Sequence, residues 1–146
     1  MRAAVVIFAI LFPATLAWAK KEETLEELKA RAAQTSNLEE RAGVCVRIAE
    51  EQVKAADKLF TEGKADEGRT ALEDVVGYSE KARDAATQSG KKLKPTEIAV
   101  RKMARKLHDI KRTVAFDEQA PLQEAIDHLE RVRTDLLAKM FGRGEK

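Results

Sequence analysis

The stretch SNLEERAGVCVRIAEEQVKAADKLFTEGKADEGRTALEDVV, residues 36–76, carries the strongest signal for the fold. Its apolar positions recur at three and four residues: Leu38, Ala42, Cys45, Ile48, Ala49, Val53, Ala56, Leu59 and Phe60. That spacing is one face of a helix. Ser36 with Glu39, or Asn37 with Glu40, fits a capping box at its start. Gly63 marks its end. A second stripe follows through Gly68, Leu72, Val75, Val76, Ser79, Ala82 and Ala86, behind an acidic start at Asp66-Glu67. Only two or three residues separate the two helices, so they must lie antiparallel.

The same reading extends outward. Residues 22–34 carry a narrow stripe, Leu25, Leu28 and Ala32, with Glu22 and Glu23 in the first turn. Ser89-Gly90 stops the third helix, and Lys91 to Lys94 read as a basic loop. A fourth helix opens around Pro95-Thr96-Glu97, where proline is tolerated. Its stripe is Val100, Met103, Leu107, Ile110 and Val114. A fifth opens at Pro121 and runs through Leu122, Ala125, Ile126, Leu129, Val132, Leu136, Leu137 and Met140, with Phe141 beside this face. Gly142 ends it, and residues 143–146 read as a flexible tail. The expected fold is all-α: an antiparallel helical bundle of about four long helices over 37–142, with a short N-terminal helix and linker over 20–36. Many inner positions are Ala, so the core is light and stability is expected to be modest or to lean on self-association.

The N-terminus sets the compartment. Arg2 is followed by 14 uncharged residues, Ala3 to Leu16, then Ala17-Trp18-Ala19. A positive start, a short apolar run and small residues around a cut site describe an export signal, cleaved between Ala19 and Lys20. The run falls short of the roughly 20 apolar residues that span a bilayer. An uncleaved anchor is the alternative, since Trp18 and Lys20-Lys21 suit an interface. Either reading makes the protein periplasmic or secreted, with no stable membrane span once the signal is removed.

The chain has 27 basic and 25 acidic residues, so it is charge-dense but nearly neutral. Solvent-laced helices have this composition. The charge is segregated. Residues 91–112 hold nine basic and two acidic side chains, whereas residues 22–67 hold 12 acidic and seven basic. Arg101, Arg105 and Arg112 share one stripe of the fourth helix, with Lys102 and Lys106 alongside. Two uses of this face are open: a docking face for an anionic protein or envelope component, or a face packed against the acidic second helix. Nucleic acid is disfavoured by export, near-zero net charge and the lack of interleaved aromatics.

Residues 55–76, AADKLFTEGKADEGRTALEDVV, resemble a tetratricopeptide-type helix pair. The matching residues are Ala56, Leu59, Phe60, Gly63, Asp66, Glu67, Gly68 at the small-residue position, and Leu72. The resemblance implies a small residue early in the second helix that lets the first pack close. It covers 22 residues, and no second copy follows at a period near 34. The hairpin is also similar to the last hairpin of the periplasmic four-helix b-type cytochromes. That family's histidine ligand would fall at Arg83, and residues 20–62 contain no Met for the other ligand. The comparison therefore implies no haem, and no C-x-x-C-H is present for attached haem.

Reactive constellations are sparse. His108 and His128 are the only histidines, each beside an Asp. Neighbours on a helix point about 100° apart, so neither pair chelates alone. Glu124 and His128 are spaced to share a face. The residues three before the histidines are Arg105 and Ala125, so the paired Glu-x-x-His of a di-iron bundle is missing. Cys45, the only cysteine, reads as a small inner-face residue. Its sharper alternative is an intermolecular disulfide, which would make a homodimer. No G-x-S-x-G is present, and the paired glutamates sit in outward runs. The amphipathic fifth helix mixes both charges on its outer face, which suits a bundle core better than a membrane surface. The expected function is non-enzymatic and free of cofactor or metal: protein–protein contact, as an adaptor or holdase-like helper. The alternative is a small-ligand or metal carrier inside the bundle, which requires His108 or His128 to point inward beside a carboxylate.

Overall fold

A computed structural model describes residues 21–142. The expected export signal and its cut site at Ala19 and Lys20, and the expected tail 143–146, lie outside the described residues. The chain is all-α. Helix α1 spans Leu25–Gln34, α2 Leu38–Thr61, α3 Ala65–Ser89, α4 Leu93–Thr113 and α5 Gln119–Phe141. A short 3-10 turn, Phe116–Glu118, precedes α5. The four long helices contain 24, 25, 21 and 23 residues, or about 32–38 Å at the standard rise. Matched lengths let each run the full height of an antiparallel bundle. Each is packed on two neighbours in a closed ring: α2 on α3, α3 on α5, α5 on α4 and α4 on α2.

The element ends follow from local chemistry. Thr24 caps α1 by accepting from Glu27 N, while the Glu27 carboxylate accepts from Thr24 N. This reciprocal box begins the helix at Leu25, three residues past its expected start. Of the two boxes open for α2, Asn37 is the cap, accepting from Glu40 N at 3.0 Å. Gly63, at φ 76°, ends α2 in a Schellman turn: Lys64 N donates to Leu59 O at 2.8 Å and Gly63 N to Phe60 O at 3.2 Å. The expected basic loop 91–94 is shorter than read. Lys92 takes the left-handed conformation at φ 62°, and α4 begins at Leu93. Pro95 then sits in the first turn, where the amide hydrogens have no helical partner to lose.

The main core is built from Ile126, Leu129, Leu122, Leu107, Val100 and Val75 together with Ala42, Ala49, Ala56 and Ala86. These alanines lie on the α2 and α3 faces that meet. Gly68 brings α3 close to Phe60: a Cβ there would stand 2.9 Å from the ring's Cε2. Helix α1 has a core of its own. Leu28 and Ala32 pack with Val44, Cys45, Ile48 and Ala82. Arg31 to Glu40, and Arg31 and Arg47 to Glu23, tie its exposed side to α2. Phe141 does not join the inner face; it is 78% exposed at the end of α5.

Candidate functional site

The expected basic site lies on α4, whose buried positions Val100, Met103, Leu107 and Ile110 face the bundle. The opposite stripe must therefore face solvent. Of the five cations, the structure brings only Lys106 to the acidic second helix. Lys106 reaches across to α2, its Nζ 2.8 Å from Asp57 Oδ2; that ion pair and hydrogen bond raise the lysine's pKa. Lys91 and Lys92 likewise lie 3.9 and 3.5 Å from Glu39 of α2. Arg101 is held within α4 by Glu97 at 3.7 Å, and Arg112 pairs with Asp109 of the same helix. Lys102 and Arg105 are exposed and belong to none of the ion pairs among the described residues. The outward charge centre of α4 is thus Lys102 and Arg105, flanked by Arg101 and Arg112.

Glu97 was not foreseen as a structural residue. Its side chain is 7% exposed and lies between Arg133 of α5, at 2.8 Å, and Arg101. A buried carboxylate must keep such partners. This pair pins the start of α4 to the end of α5. A second polar contact, Lys111 Nζ donating to Gln123 Oε1 at 2.6 Å, ties the end of α4 to the start of α5.

The histidines separate. His108 is exposed on the outer stripe of α4. His128 lines a groove of about 580 Å³ between α3 and α5, with Glu73, Glu80 and Glu124 around an apolar floor of Leu72, Val76 and Ala125. Its Nδ1 is 3.7 Å from Glu80 Oε1. A carboxylate is near, but the groove is on the outside of the bundle. Among the described residues, no three His, Cys, Asp or Glu side chains converge to hold a metal ion.

Cys45 is buried beneath α1, at 1% exposure. Desolvation holds its thiol above the ordinary range, against the smaller opposing pull of Lys81 and Arg41. A bond to another chain would require α1 to lift. Beside it lies a cleft that the sequence reading missed, bounded by α1, α2 and α3. Its charged groups come from three separate helices, so no local spacing announced it.

These features define an all-α bundle with a cationic outer face, a carboxylate-rimmed groove and a small cleft. No described helix is long and apolar enough to cross a membrane. The chain matches no protein-family model, and no curated protein or solved structure is detectably similar to it.

Proposed function

We propose that this is an exported, non-enzymatic bundle protein that acts by protein contact. It serves as an adaptor or holdase-like helper, docking an anionic protein or envelope component on the outer face of α4. One observation carries the reading: Lys102 and Arg105 are exposed and belong to none of the ion pairs among the described residues, whereas Arg101, Lys106 and Arg112 around them have carboxylates. Rigid presentation favours such contact, because a helix locked on one side by a packed core loses little freedom on binding. Exposed charges of this kind steer association and give way to salt.

Capture of partners from envelope extract at low and high salt tests this. The partner is expected at low salt and lost at high salt. Lys102→Ser/Arg105→Ser is expected to abolish capture without changing the melting temperature, since neither side chain is tied into the bundle. Retention of every captured partner by that variant overturns the assignment.

A further inference from the structure

The cleft between α1, the first half of α2 and the last half of α3 encloses about 350 Å³. Ala32, Leu38, Tyr78 and Ala85 give it apolar walls, and four charged residues line it: Lys29, Arg41, Lys81 and Asp84. Two of these are already neutralised. Lys29 Nζ donates to Asp74 at 3.0 Å. Asp84 accepts from Arg83 Nε at 3.0 Å. Arg41 and Lys81 belong to none of the ion pairs among the described residues.

Their surroundings point to an absent acceptor. Arg41 Nη2 donates to the Thr35 carbonyl at 2.6 Å, which fixes the guanidinium. Its Nε–H is buried with no acceptor. A buried donor in that state is costly, and an anionic oxygen would recover the loss. Lys81 Nζ stands 4.6 Å from the Tyr78 ring centroid, so a cation is held over an apolar surface. Both cations are close enough to act on the same buried thiol, Cys45. Two cations without a carboxylate partner among the described residues, an aromatic wall and a volume near the lower end of the usual roughly 300–1,000 Å³ for ligand sites occur together.

We propose that this cleft binds a small organic anion with an apolar body, its charged head between Arg41 and Lys81 and its body against Tyr78 and Leu38. The inference is independent of the α4 face. It makes α1 one wall of a ligand site, fixed to α2 by the Arg31–Glu40 pair.

Benzoate is the test probe, with benzamide and sulfate beside it. Titration into the intact protein is followed by NMR at the Ala32 and Ala85 amides. Benzoate is expected to shift both. Benzamide keeps the body without the charge, and sulfate the charge without the body; each is expected to bind about tenfold more weakly or worse. Lys81→Met is expected to weaken benzoate about tenfold. Ala33→Leu, at an exposed residue of the cleft lining, is expected to block it. Both positions are exposed, so these variants keep the fold where an Arg41 change would loosen the α1–α2 linker. The proposal is overturned if benzoate leaves the two amides unmoved. It is equally overturned if either comparator matches benzoate, or if either variant binds it as tightly as the parent.

Discussion

Substituting Gly68 by Ala tests the close approach of α2 and α3 at its tightest point. Alone, the added methyl favours the helix by about 1 kcal/mol. In place, it would lie 2.9, 3.0 and 3.1 Å from Cε2, Cζ and Cδ2 of Phe60. Carbon atoms prefer about 3.5–4.0 Å, so the ring must give. Phe60 is only 7% exposed and packed in the main core. Overpacking of this kind costs about 1–3 kcal/mol, so the net expectation is a loss of about 1 kcal/mol. With Phe60→Leu the ring atoms vanish, and Gly68→Ala should then stabilise by about 1 kcal/mol. The coupling across the double-mutant cycle is about 2 kcal/mol. Urea unfolding followed by circular dichroism, with equal slopes for all four proteins, measures it. An equal stabilisation by Gly68→Ala in both backgrounds would refute the reasoning.

Three further outcomes follow from buried polar groups. Ser79 is fully buried and its hydroxyl has no partner; Ser79→Ala should raise stability by about 1 kcal/mol in the same urea assay. Because burial raises the Cys45 pKa, the unfolded chain releases this proton first, from about pH 8.5 upward. The group's contribution is therefore whole below that pH and declines as pH rises toward the folded value. Cys45→Ala should flatten the fall in stability between neutral and alkaline pH. Arg133→Met strands the buried Glu97 beside the more distant Arg101, whereas Glu97→Met leaves Arg133 access to water. Thermal melts should show the larger loss for Arg133→Met.

The long helices were legible because each carries an apolar stripe longer than any competing pattern. Leu122, Leu129 and Leu136 on α5 fall at one heptad position, and all three are fully buried. Starts were read less well. Thr24 and Glu27 form a capping box that the acidic run around them obscured. Leu93 and Lys94 looked like loop because of the flanking lysines and Pro95, yet proline costs little in a first turn. The cationic stripe of α4 was visible, but its division was not. Whether a lysine faces Asp57 or solvent depends on how α4 is rotated against α2, which no local spacing encodes. Arg41, Lys81 and Tyr78 meet only because α1 folds over the α2–α3 pair.

The α4 docking face is tested most directly by a photo-crosslinking residue at position 108, on the outward stripe that also carries Arg105 and Arg112. A second probe at position 73, on the acidic α3 side, serves as reference. Adducts are predicted at 108 and not at 73, lost both at high salt and in Lys102→Ser/Arg105→Ser. The same adducts at both positions, or adducts at 108 that survive the two serines, would contradict the account.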